Sequence, residues 1–175
     1  MKKHNLAFID IETTGLDVLR HEILEIGCVI TDHKRKVLLE FEIKIQPEHV
    51  ENADPMAIKV NHFRDRDWSE AIPLDDALKI FAEKTKDCIM VGQNVAFDSG
   101  FLEYNFNKLK MKNTLFYHRL DTISIAWAKL NHKTDIDHYS LRELCKYFGI
   151  KNEHPHSALS DARATYELYE KLMAI

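Results

Sequence analysis

Cysteine is scarce in this chain. Cys28, Cys88 and Cys145 are its only cysteines among 175 residues; odd in number, widely spaced and without a C-x-x-C pair, they argue against a disulfide framework or a cysteine zinc site. Reduced thiols are the expectation. Long apolar runs are lacking too: no stretch could span a bilayer, and the basic start Met1-Lys2-Lys3-His4-Asn5 leads into a strand without the apolar region of a signal peptide. A cytoplasmic protein with no membrane partner follows. Positive charge is not in excess, since 24 Lys and Arg against 28 Asp and Glu give a formal net charge of −4. Such a chain does not coat nucleic acid by neutralising many phosphates, so any contact of that kind must be local. The clusters His33-Lys34-Arg35-Lys36 and Lys108, Lys110, Lys112 read as a solvated turn and a solvated helix end. Repeats, low-complexity tracts and linkers are missing as well. One domain over residues 1–175 is therefore expected, and 45% apolar residues suffice for its core.

What is present begins with Phe8-Ile9-Asp10-Ile11-Glu12-Thr13-Thr14-Gly15-Leu16. Leu6 to Ile11 reads as a strand, apolar on both faces and so suited to the middle of a sheet. Residues two apart in a strand point the same way, which sets Asp10 beside Glu12. Two crowded carboxylates repel, and burying them is costly, unless a cation or a shared proton compensates. A hard divalent metal is the simplest compensation. Taken alone, a D-x-E pattern at a strand end facing water would need none.

Further along, Ile23–Thr31 is a second apolar strand, and Asp32-His33-Lys34-Arg35 a turn. Val37, Leu39, Phe41, Ile43 and Ile45 alternate with polar residues, only Leu38 being out of step, which makes a strand with one wet face, so the first three strands form an antiparallel meander. Asp54-Pro55 caps and opens a short helix to about Asn61, and Pro73 opens another ending near Asp87. Ile89–Val91 is a short buried strand stopped by Gly92. Phe101, Leu102 and Leu109 mark a helix with Asp98 at or near its start; a strand follows at about Arg119 to Asp121; Ile123, Ala126, Trp127 and Leu130 mark the next helix. Tyr139–Phe148 is a helix with Ser140 and Glu143 in capping-box spacing and Gly149 as its stop. Alternating β and α in this half adds parallel strands to the meander, making an α/β fold with a mixed sheet.

The last helix begins around His156-Ser157-Ala158-Leu159-Ser160-Asp161. Residues five apart on an ideal helix lie about 140° from one another, so His156 must come from the preceding loop if it is to share a pocket with Asp161. Pro155 supports a break there. His154 and His156 without a cysteine partner are a poor zinc pair. Each of these residues has an ordinary reading by itself: Asp98 as a helix cap, Asn94 as a turn residue, His156 as a surface histidine.

Taken in order, the first stretch, then Asn94-Val95-Ala96-Phe97-Asp98, then His156 with Asp161, resemble the DEDDh exonuclease superfamily, which includes the DnaQ-like proofreading subunits of bacterial DNA polymerase III and ribonuclease T. All three motifs are present and span nearly the whole chain. The resemblance implies a ribonuclease H-like fold with a mixed five-stranded sheet, antiparallel meander plus parallel strands, and helices on both faces. It implies 3′–5′ exonuclease action on DNA or RNA, releasing nucleoside 5′-monophosphates. Carried over by position, Asp10, Glu12, Asp98 and Asp161 hold two divalent ions, Mg²⁺ or Mn²⁺, and His156 is the general base. Thr13, Thr14, Leu16, Asn94 and Phe97 match the pocket for the terminal nucleotide. Gln93 departs from the pattern, since many relatives carry His there.

The chemistry asks for these residue types. Oxygen ligands suit Mg²⁺ or Mn²⁺, and two such ions can activate a water and support the leaving oxygen of a phosphodiester. Metals would also draw phosphate to an acidic protein, reconciling a charge of −4 with a nucleic-acid substrate. Leu16 and Phe97 would then stack or pack on terminal bases without sequence preference. Partners implied are a single-stranded 3′ end and either a DNA polymerase or a second copy of the chain. Other readings are an RNA-processing exoribonuclease of the ribonuclease T or oligoribonuclease type, a catalytically weak module tethered to a polymerase, and a ribonuclease H-like endonuclease.

Overall fold

The computed structural model describes residues 4–175; Met1, Lys2 and Lys3, part of the basic start noted above, lie outside them. Strands β1 (Leu6–Thr13), β2 (Ile23–Thr31) and β3 (Val37–Lys44) form the meander, with β1–β2 and β2–β3 antiparallel. After α1 (Pro55–Val60) and α2 (Leu74–Lys84) come β4 (Ile89–Gly92), α3 (Val95–Lys108), β5 (Arg119–Asp121), α4 (Thr122–Leu130), α5 (Leu141–Phe148) and α6 (Ala158–Met173). Because β4 joins β1 in parallel and β5 joins β4, the order is β3-β2-β1-β4-β5. The expected mixed sheet is present, with β1 at its centre.

Both faces of β1 are buried, by different helices. Ala7, Ile9 and Ile11 pack with Ile26, Cys28 and Met90 against Ala77, Leu78 and Phe81 of α2 and Phe101, Leu102 and Phe106 of α3. Leu6 and Phe8 point the other way and meet Val29, Val91 and Ala162, with Tyr166 and Tyr169 edge-on to the Phe8 ring. Each such side chain taken fully out of water is worth about 1.5–3 kcal/mol, so β1 is anchored along its apolar length. The outer side of α6 carries a further cluster, Ala164, Leu168 and Leu172 against Ala126 and Leu130 of α4 and Leu144 of α5. Helices thus cover both faces of the sheet. The cysteines are free and buried, and no helix among the described residues is long and apolar enough to cross a membrane.

Several local expectations shift. β1 runs two residues past Ile11, because β2 pairs with it up to Thr13 through an irregularity after Glu12. Pro73 is the N-cap of α2 rather than its first residue, and the helix ends at Lys84. Leu109 is the C-cap of α3 and exposed, outside the apolar stripe assigned to it. Tyr139 lies ahead of α5, whose N-cap is Ser140 with the Glu143 amide donating to its hydroxyl. Trp127 is 59% exposed, since Ala126 and Leu130, with Ile125 beside them, are the α4 residues that reach the cluster on the outer side of α6.

Candidate active site

Past Phe8, β1 outruns its partner β4, whose pairing covers only Leu6, Ala7 and Phe8. The far end of β1 therefore lies open on that edge, with Asp10 and Glu12 on the face that α6 approaches. Asp98 fills part of the gap. It is the fourth residue of α3, 4% exposed, and its Oδ1 accepts the Ile11 amide hydrogen at 3.0 Å. A cap of its own helix was the ordinary reading for Asp98, yet its carboxylate serves the neighbouring strand. The start of α3 is fixed from the other side by Asp121, which accepts from the Val95 amide at 2.9 Å and from the Ile123 amide at 2.7 Å.

α6 reaches the site because Gly27, opposite Asp10, has no side chain. A Cβ there would fall 2.1–2.3 Å from the backbone of Ala158 and Leu159, so only glycine lets the helix start sit on β2. Asp161 then projects from the first turn of α6. Its Oδ2 accepts from the His156 amide at 3.0 Å, and its Oδ1 accepts from the Asn152 side chain. His156 stands in the loop ahead of α6, as the helical-angle argument requires, with φ 65° in the left-handed region. Asn94, at φ 64°, is the N-cap of α3. Left-handed residues other than glycine are uncommon, and here two of them flank the acidic centre.

One ligand atom each from Glu12, His156 and Asp161 lies within 4.8 Å of the others. The electrostatics show the same convergence. Burial first, then the charges of Asp98, Asp161, Glu12 and Glu25, hold the Asp10 carboxyl well above the usual range. Burial, with Asp161 and Glu25, pushes Glu12 up to about 8 against the pull of Arg66. Burial lifts Asp98 to about 7 although the Ile11 amide favours its anion. Asp161 is also raised by burial, against its bonds from Asn152 and His156. Four hard oxygen donors that resist ionising together fit a divalent cation, which would favour the anions it binds. Asp10, Glu12, Asp98 and Asp161 are the residues that would hold it, with His156 at the rim.

The residues matched to a nucleotide pocket divide into two groups. Thr13 and Thr14 are buried and engaged in the turn: the Thr13 hydroxyl donates to the Gly15 carbonyl at 2.7 Å, and the Thr14 hydroxyl accepts from the Glu22 amide at 2.8 Å. Leu16 is 80% exposed, Asn94 is exposed, and Phe97 is half-buried against Phe101. Gln93 belongs to neither group. Its amide donates to the Tyr139 carbonyl at 2.7 Å and accepts from the Thr122 hydroxyl at 2.5 Å, tying β4 to α4 and to the approach to α5. Sequence reasoning missed Asn152, Glu25 and Arg66. Of these, only Glu25 carried a signal, as the one charged residue in an otherwise uncharged nine-residue strand.

A central strand that gathers carboxylates at the open end of a β3-β2-β1-β4-β5 sheet, with a histidine close to them, is a ribonuclease H-like arrangement with a candidate divalent-metal site. The comparisons make this specific: residues 7–169 match the RNase T exonuclease family model, and the chain belongs to that family, within the DnaQ-like 3′–5′ exonuclease superfamily. It is 31% identical over 169 residues to the PolC-type DNA polymerase III of Caldanaerobacter subterraneus subsp. tengcongensis, covering 94% of this chain and 11% of that protein. With the PolC-type polymerase of Streptococcus sanguinis it shares 32% over 162 residues, covering 91% and 10%. The fold resembles E. coli exonuclease I in its zinc-bound complex with single-stranded DNA, at a TM-score of 0.83 and 17% identity over 99% of this chain and 41% of that one. The chain thus spans about a tenth of the PolC-type relatives and two-fifths of exonuclease I.

Proposed function

We propose that this chain removes nucleotides one at a time from the 3′ end of single-stranded nucleic acid, DNA in the first instance, using two Mg²⁺ or Mn²⁺ ions. The observation that carries the proposal is the meeting of Asp10, Glu12, Asp98 and Asp161, from β1, α3 and α6, under His156. Bound there, two ions would activate a water and steady the oxygen that leaves. The protein's own part is to position and to move a proton. Asp98 is fixed by the Ile11 amide and Asp161 by Asn152 and the His156 amide, so these carboxylates are held before any ligand arrives. His156 takes the proton of the attacking water on its ring as the new phosphorus–oxygen bond forms. The bond from phosphorus to the 3′ oxygen breaks, that oxygen is protonated, and a nucleoside 5′-monophosphate is released.

Leu16, Asn94 and Phe97 would meet the terminal nucleotide, while Thr13 and Thr14 shape the turn beneath it. Likeness to segments of PolC-type polymerases favours DNA and a proofreading partnership with a polymerase in the cytoplasm. The test is a time course on 5′-labelled DNA and RNA oligonucleotides, single-stranded and duplex, with Mg²⁺ or Mn²⁺. A ladder of 3′-shortened products is expected, slowed by a 3′-phosphate. Comparable digestion of a circular single strand would overturn the exonuclease reading, and faster digestion of RNA would overturn the DNA preference.

A further inference from the structure

Glu25 is a fifth carboxylate at the site, and it differs from the other four. It lies on β2 opposite Glu12 and is fully buried. Its oxygens are already occupied by protein donors: Arg66 Nη1 donates to Oε2 at 2.8 Å, Arg66 Nη2 donates to Oε1, and the Ala158 amide donates to Oε2 at 3.1 Å. A carboxylate so satisfied is poorly placed to bind a metal. What it binds instead is the start of α6, since Ala158 is the first residue of that helix, two after His156 and three before Asp161.

Arg66 comes from the other flank of the site. Its guanidinium lies over the Trp68 ring, 5.5 Å from the centroid, and the Trp68 indole donates to the Phe63 carbonyl at 2.7 Å. Just upstream, the Asn61 side chain donates to the Thr13 carbonyl at 3.1 Å, and the Asp54 amide donates to the Thr14 carbonyl at 2.7 Å. One buried carboxylate therefore ties the segment that braces the end of β1 to the helix start that carries Asp161. Ion pairs out of water are often replaceable by apolar residues without loss of stability, so stability alone is a weak reason for the buried Glu25 and partly buried Arg66 to be paired here.

We infer that Glu25 and Arg66 are positioning residues: by holding the Ala158 amide over Gly27, the pair sets where α6 begins and so where Asp161 and His156 stand relative to Asp10 and Glu12. The inference rests on the functional reading above. Its test compares wild type with the double replacement Glu25→Leu and Arg66→Met, and with Arg66→Lys, which keeps the charge and loses the fork. Three quantities are read: Mn²⁺ affinity by calorimetry without substrate, kcat and KM on a single-stranded oligonucleotide at saturating metal, and melting temperature. Melting within a few degrees of wild type is expected for both variants, with Mn²⁺ affinity or kcat lowered about 10- to 100-fold, the scale for residues that support metal ligands, and KM little changed. Wild-type Mn²⁺ affinity and kcat in the double variant would overturn the inference; should that variant not fold, the same result in Arg66→Lys would do so. A wild-type protein that bound no Mn²⁺ would overturn the metal site itself, and the inference with it.

Discussion

The amide of Ile11 donates to Oδ1 of Asp98 at 3.0 Å, which joins α3 to β1 between the two strand carboxylates. On that edge the pairing with β4 has ended at Phe8, so the Ile11 N–H would otherwise be a buried donor with no strand to meet. The bond thus does two things at once. It completes the backbone of the central strand, and it holds the third acid where the charges of Asp10 and Asp98 oppose each other.

These two roles separate by substitution. Asp98→Asn and Asp98→Ala remove the same charge, but Asn keeps an acceptor for Ile11 while Ala leaves that donor unmet, at a cost of about 1–3 kcal/mol. Both variants should lose at least about 10²-fold in turnover, and Ala should melt several degrees below Asn, at roughly 2–4 °C per kcal/mol for a domain of this size. Equal melting temperatures in calorimetry would mean that the bond contributes nothing to the fold.

Raised carboxyls give the metal-free protein an unusual pH profile. Glu12 titrates at about 8 and Asp98 at about 7 when folded, with Asp10 and Asp161 also raised, whereas all four titrate near 4 when unfolded. Between those values the folded state holds protons that the unfolded state has released, so the contribution of these four groups is fully present below about pH 4 and is lost as pH rises towards 8. The exposed acids with lowered values, Asp32, Glu51, Asp67, Asp75 and Glu153, act oppositely, but their contribution is lost only on further acidification. In EDTA, the melting temperature should therefore fall from pH 5 to pH 8.5. A rise across that interval would contradict the clustering of the acids.

His156 offers a separation of function from folding. It is exposed, its residue in the site's loop is left-handed, and Asn tolerates that backbone better than most side chains. His156→Asn should leave the melting temperature nearly unchanged while turnover falls by about 10² to 10⁴, the scale for a general base, and Mn²⁺ binding persists. Near-normal turnover in a steady-state assay would remove His156 from its role.

How much of this was legible follows from where each signal lives. Period-two alternation and helical spacing are local, so the meander, the short β4 and the position of α6 could be read from neighbouring residues. Asp10, Glu12, Asp98, His156 and Asp161 could be assembled only through the resemblance, since separately each had an ordinary explanation. Glu25 was missed although it is a charge in an apolar strand; its partner Arg66 is 41 residues away and its other partner, the Ala158 amide, 133 residues away. No spacing rule connects them, because the connection runs through sheet register and the close approach that Gly27 permits. Leu39 shows the converse: its alternation is right for a strand, yet it is 38% exposed because β3 lies at the sheet edge. Gln93 was visible as a departure, and its two hydrogen bonds place it in the support of α4 rather than over the acids.

The strongest test of the metal site needs no substrate. Asp10 is raised well above the usual range by burial and by four neighbouring carboxylates, so in the metal-free protein its ionised form is strongly opposed. Asp10→Asn removes that opposition, and the metal-free variant should melt at or above metal-free wild type when both are at pH 8. A ligand that binds only the native state adds RT ln(1 + [L]/Kd), about 2.7 kcal/mol at a hundredfold excess over Kd. At roughly 2–4 °C per kcal/mol, saturating Mn²⁺ should raise the wild-type transition by about 5–10 °C. The variant has lost the charge at the centre of the cluster and should gain much less. The order of the two proteins should therefore reverse, or at least close up, on adding metal, a change that a merely destabilising substitution does not produce. Equal Mn²⁺-induced shifts in the two proteins, measured in one buffer, would show that Asp10 lies outside the site.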